Sequence, residues 1–211
     1  TYVFIFGFRK SFTVCTFEGM TFGPIAFKTA MVISQMLGYL MAKFYGIKFI
    51  SGLEKKNRYK IIFLLTGIAW AAWLLFAIVP APYSILFLFI NGFPLGMLWG
   101  VVFSYVEGRR STDFIGAALA VSFIFSAGWV KSVGAWLMQD FNVSETWVPF
   151  CTGLVFALPL VICVWGLEKV PAPSKEDEAL RAKRIPMTGE DRKLILKQYL
   201  PGVIAFIAIY L

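Results

Sequence analysis

Histidine is absent from the 211 residues, and acid is scarce, with 12 Asp and Glu against 20 Lys and Arg. Without imidazole there is no histidine general base, no His-ligated catalytic zinc and no axial histidine for haem. No paired-carboxylate constellation takes its place, so the chain is not expected to be an enzyme, and neither a cofactor nor a metal is expected. Charge of both signs is sparse, at 15% of residues, where a soluble domain carries about a quarter. Cysteine is limited to Cys15, Cys151 and Cys163, an odd number set in apolar runs. No disulfide framework is expected, and the three read as small packing residues.

Apolar residues are what the chain has in quantity: 59% are hydrophobic, 22 are Phe, and the mean hydropathy is +0.74. Runs of about twenty such residues match the roughly 30 Å hydrocarbon layer of a bilayer, and only helices or closed barrels satisfy their backbone there. The expected class is all-α, a polytopic transmembrane helical bundle. Spans are predicted at 1–17, 28–50, 61–79, 84–106, 114–138 and 147–167, and a further run opens at Leu200. The first run has no n-region or cleavage motif before it, so it is expected to be a truncated span rather than a signal peptide. The last, 200–211, is too short to cross at about 1.5 Å per residue. Three parts follow: a six-helix bundle over 1–167, a basic connector over 168–199, and the truncated start of a seventh span over 200–211. Within the connector, Ser174 with Asp177 and Thr188 with Asp191 read as helix-capping pairs flanking the breaker Pro186.

The +8 net charge has a positional explanation, and nucleic-acid binding is not expected. Five cations lie between Lys48 and Lys60, two at Arg109 and Arg110, and eight between Lys169 and Lys197, so fifteen of the twenty share one side. The positive-inside rule makes that side the cytoplasm and puts the connector there; a bacterial inner membrane is the expected location. The opposite loops, around 18–27, Pro80 and 139–146, carry Glu18, Asp140 and Glu145.

Arg9, Lys10, Lys28, Lys43 and Lys131 remain, and only Lys28 falls at a span end. With a first helix continuing to Glu18, Arg9 lies about 13 Å from the outer surface, too deep to snorkel. Lys43 and Lys131 lie about 10 Å from their nearer span ends. Every acidic residue is in a loop or at a span end, so these cations lack a deep partner in this chain. A buried cation costs several kcal/mol unless paired, which points to an anion as the missing partner. A guanidinium suits phosphate or carboxylate through a bidentate fork, with an ammonium beside it as a point charge. Gln35, Tyr39 and Lys43 follow one another at four-residue steps along the second span and are expected to line one wall of a solute pathway. The candidate substrate-binding set is therefore Arg9, Lys43, Gln35, Tyr39 and Lys131. Small-residue seams at Gly38, Ala42 and Gly46 and at Gly92, Gly96 and Gly100 are expected to be packing faces.

Three islands carry a family resemblance: FGFRKSF in the first span, GYLMAKFYGIKF in the second and NGFPLGMLWG in the fourth. Together they resemble the organophosphate:phosphate antiporters of the major facilitator superfamily, with Arg9 on the phosphate-binding arginine and Lys43 on a pore-lining lysine. The chain also looks like a group of uncharacterised bacterial transporter-like membrane proteins. There are departures: the superfamily's aspartate between the second and third helices is missing, Phe6 stands where the antiporters have a first-helix tyrosine, and Phe125 lies near their fifth-helix histidine. The resemblance implies the amino-terminal half of a secondary transporter for an anionic, phosphorylated small solute, working by alternating access with a carboxy-terminal half as its partner. A receptor on the same scaffold, binding the anion and signalling through the connector, is the alternative expectation.

Overall fold

In the computed structural model, residues 1–51, 57–106, 109, 111–171, 174, 177 and 189–210 are described. The helices are α1 Tyr2–Lys10, α2 Phe27–Ser51, α3 Arg58–Ile78, α4 Ile85–Phe103, α5 Thr112–Phe141, α6 Val148–Glu168 and α7 Gly189–Tyr210; α2 to α6 lie where the sequence predicts spans, whereas α7 begins within the predicted connector. Four of them, α3 to α6, are long and apolar enough to cross a membrane. That composition is that of an integral membrane protein, with four such helices among the described residues where six spans are predicted. Helix α2 has 25 residues but carries Lys28, Lys43 and Lys48.

The first helix departs from expectation. It stops at Lys10, passes into a 3-10 turn over Ser11–Val14, and continues as extended chain at Cys15. Tertiary polar contacts explain the stop. Lys28 Nζ donates to the Thr13 and Cys15 carbonyls (3.1 and 2.6 Å), and Glu145 accepts from the Thr16 and Phe17 N–H groups (2.8 and 2.6 Å). These satisfy backbone groups that a continued helix would have satisfied internally. A short hairpin follows, with β1 (Thr21–Phe22) paired antiparallel to β2 (Ile25–Ala26). Its two-residue turn places Gly23 at φ +59 ahead of Pro24, a conformation glycine adopts without Cβ strain.

The other ends have legible causes. Helix α5 ends where Asn142 adopts the left-handed conformation (φ +51), which Asn tolerates better than most side chains, and its N–H closes on the Leu137 carbonyl. Ser174 and Asp177 form the predicted reciprocal cap: the Ser174 N–H donates to the Asp177 carboxylate (2.9 Å) and the Asp177 N–H to Ser174 Oγ (3.1 Å). The Thr188 and Asp191 pair lies outside the described residues at Thr188.

Packing is uneven around the bundle. Helix α2 lies chiefly against α4, and α5 against α1 and α6, while α3 touches α4 and α6, and α1 touches α4 and α6. Helices α2 and α5 are thus flanks around a centre of α1, α3, α4 and α6. Exchanging α1 with α4, α2 with α5 and α3 with α6 maps the principal pairs onto one another: α2–α4 onto α1–α5, and α3–α4 onto α1–α6. The α5–α6 contact has no α2–α3 counterpart. Two cores fill the interior. One runs through Ile5, Phe8, Leu98, Val101 and Phe156, and the other, at the end nearer the hairpin, through Phe12, Phe27, Trp73 and Val148.

The α2–α4 approach depends on its glycines. A Cβ on Gly38 would lie 2.3 Å from the Phe89 carbonyl oxygen, and one on Gly92 would lie 2.2 Å from the Gln35 carbonyl oxygen. Only a residue without a side chain lets the two backbones come this close, as the small-residue seams predict.

Candidate functional site

A cavity of about 840 Å³ opens between four helices and is lined by Tyr2, Phe6 and Arg9 of α1, Tyr39 and Lys43 of α2, Trp99 of α4 and Phe123 of α5. The predicted pair of cations meets here across one ring. Arg9 Cζ lies 4.1 Å from the centroid of Tyr39, and Lys43 Nζ lies 4.6 Å from the same centroid and 5.7 Å from that of Trp99. Tyr39 and Lys43 are one turn apart on α2, and Tyr2, Phe6 and Arg9 are spaced by four and three on α1, so each helix presents its group on one face. The Tyr2 hydroxyl interacts with both Arg9 and Tyr39.

The balance of charge is one-sided. Among the described lining residues two are cationic and none is acidic, and Arg9 Nε is buried without a hydrogen-bond partner among the described residues. Cation–π contact with a tyrosine face is worth about 0.5–2 kcal/mol. The cost of holding an unpaired cation out of water is several kcal/mol. The aromatic face therefore offsets only part of it, and the remainder favours an anion between Arg9 and Lys43.

Gln35 does something other than line the wall. It is 3% exposed, and its Nε2 donates to the Arg9 carbonyl and to Asn91 Oδ1, both at 2.8 Å. Asn91 in turn donates to the Phe8 and Ala69 carbonyls (3.2 and 2.9 Å), and Trp73 Nε1 donates to the Phe8 carbonyl at 2.6 Å. These groups satisfy the last carbonyls of α1, which have no helical partner beyond Lys10, and so fix where Arg9 emerges. The contribution of Gln35 to the site is to position the arginine from behind. Lys131 is exposed on α5 and does not line the cavity, and neither does half-buried Lys10. Lys28 is committed to the Thr13 and Cys15 carbonyls.

Of the cavity's lining residues the predicted set holds Arg9, Tyr39 and Lys43 and lacks Tyr2, Phe6, Trp99 and Phe123. Tyr2 had a usable spacing, two helical turns before Arg9 on the same face. Trp99 and Phe123 had none, since an aromatic ring in an apolar span looks the same whether it faces the core, lipid or a cavity.

Residues 11–211 match the model of a family of unknown function (DUF5690), and the chain belongs to that family. No curated protein and no solved structure shows significant similarity to the chain.

Proposed function

We propose that this member of the family is the amino-terminal bundle of a secondary transporter of the major facilitator type, moving an anionic small solute by alternating access. Phosphate esters are the candidate solutes that the antiporter resemblance implies. The observation that carries this reading is the convergence of Arg9 and Lys43 over the Tyr39 ring in a cavity with no acid among its described lining residues. Arg9 serves as the anion clamp and Lys43 as the second positive contact.

The arrangement of helices supports transport over simple binding. Two three-helix units, α1–α3 and α4–α6, exchange places in the main packing pattern. Because each unit contains an odd number of spans, consecutive units in one membrane run in opposite directions, the pattern of inverted repeats. The cavity draws on α1, α2, α4 and α5 and on neither α3 nor α6. It therefore lies between the two units, where transporters of this build hold their solute. The exposed apolar face of α2, including Met36, Leu40 and Phe44, suits lipid or the carboxy-terminal half of the same transporter.

In the full-length protein, Arg9→Lys should abolish uptake of radiolabelled phosphate esters and inorganic phosphate into proteoliposomes while leaving the thermal unfolding temperature within a few degrees of wild type. The substitution keeps the charge and removes the fork, so loss of uptake isolates bidentate recognition. Unchanged uptake overturns the assignment of Arg9, and saturable anion binding without flux in the wild type favours a receptor over a transporter.

A further inference from the structure

The walls of the cavity say more about the solute than its two cations do. Five of the seven described lining residues are aromatic, and the only uncharged polar atoms the side chains of these seven supply are the Tyr2 and Tyr39 hydroxyls and the Trp99 indole N–H. The Tyr2 hydroxyl is already engaged with Arg9 and Tyr39, and the Tyr39 ring face lies beneath both cations. A sugar or glycerol body brings several hydroxyls, each of which needs a partner when it leaves water, and an unmet one costs about 1–3 kcal/mol. Among the described residues, no Asn, Gln, Ser, Thr, Asp or Glu lines the cavity to meet them.

The aromatic rings are instead held in place for a flat apolar body. Trp99 is stacked on Phe103, with centroids 4.9 Å apart and planes at 7°. Phe123 stacks with Phe6 at 6.5 Å and takes the edge of Tyr2 at 5.0 Å. Rings fixed by their neighbours lose little entropy on accepting another ring, so the walls are preorganised. The volume of about 840 Å³ lies within the range that holds drug-sized ligands and far exceeds what an inorganic phosphate fills.

We infer that the solute is an amphipathic organic anion: a phosphate or carboxylate head seated between Arg9 and Lys43, carried on an aromatic or similarly flat apolar body that packs among Phe6, Trp99 and Phe123. This rests on the anion-transport reading and narrows its substrate class away from polyhydroxylated phosphate esters. Head and body are recognised by different residues, which makes the two separable.

The test is isothermal titration of the purified full-length protein in nanodiscs with phenyl phosphate, benzoate, glycerol 3-phosphate and inorganic phosphate. Phenyl phosphate should bind at least tenfold more tightly than glycerol 3-phosphate, and benzoate should compete with it. Trp99→Leu should reduce that preference to threefold or less. Equal or reversed preference in the wild type overturns the amphipathic assignment and leaves the anion site standing. Failure of all four anions to bind overturns the anion site itself. The wild-type comparison needs no variant, so it decides the matter even if Trp99→Leu does not fold.

Discussion

Glu145, at the turn between α5 and α6, accepts three hydrogen bonds from the segment after α1: the Thr16 and Phe17 N–H groups and Thr16 Oγ1 at 2.9 Å. Partial burial pushes its pKa up, but the donations from Thr16 and Phe17 and the Lys28 charge outweigh that, leaving the carboxyl below its ordinary value. A depressed carboxyl stabilises the fold above the unfolded-state pKa of about 4.3 and ceases to do so as pH falls through the lower folded value. Glu145→Gln should therefore lower stability by about 1 kcal/mol at pH 7, given charge-assisted bonds discounted for solvent exposure. Thermal unfolding of the two forms in detergent should differ at pH 7 and converge as the pH drops below about 4. A gap independent of pH would mean that shape rather than charge makes the contact. At this scale the sequence was readable for charge and less so for direction. The four-residue spacing of Gln35, Tyr39 and Lys43 predicts that they share one line. Four residues advance a helix by about 400°, so two such steps turn a side chain by about 80°. That rotation takes Gln35 away from the cavity and under α1, where it bonds to the Arg9 carbonyl.

At the scale of elements, the spans predicted at 28–50, 61–79, 84–106, 114–138 and 147–167 correspond closely to α2 through α6. Continuous apolar runs bounded by charge or proline leave little freedom in where a helix starts and stops. The first span is predicted to run further than it does because its end is set by Lys28 and Glu145, through contacts 13 to 129 positions apart in sequence, which hydropathy does not weigh. The seams of small residues, by contrast, are a local feature with a local consequence. Gly92→Ala should destabilise the protein by about 1–3 kcal/mol, because the new methyl meets the Gln35 backbone and cannot be absorbed by a side-chain shift. It should also weaken anion binding, since the shifted α2 carries both Gln35, which holds the Arg9 carbonyl, and Lys43. Gly67→Ala on α3, where a Cβ would meet nothing within 4 Å, is the matched control and should be neutral or slightly stabilising. Paired measurements of unfolding temperature and phenyl phosphate affinity check both effects; a tolerated Gly92→Ala would mean that the α2–α4 seam is looser than its geometry.

For the whole molecule, charge and packing make separate claims that meet in one topology. By the positive-inside rule, the cations outside the spans predict that the turn between α4 and α5 and the end of α6 lie on the cytoplasmic side, and the α3–α4 turn opposite. Packing supports the same sidedness. Arg58 at the start of α3 donates to the Ser104 carbonyl just past α4 (2.7 Å), and Tyr105 donates to Glu168 at the end of α6, so these three ends gather together. At the far end the Glu145 and Lys28 contacts tie the α5–α6 turn and the start of α2 to the segment after α1. A central cavity between two such tied ends can exchange its opening only if one set of ties loosens while the other holds, so sidedness is a premise of alternating access rather than a detail of it. It can be measured with the three native cysteines replaced and single cysteines introduced at Tyr83, which is 75% exposed in the α3–α4 turn, and at exposed Lys169 after α6. In intact bacterial cells, a membrane-impermeant maleimide should label Tyr83→Cys and should reach Lys169→Cys only after permeabilisation. The reverse pattern would invert the orientation. Labelling of both in intact cells would place the two ends on the same side, which an odd number of crossings between them forbids, and the inverted-repeat arrangement would fall with it.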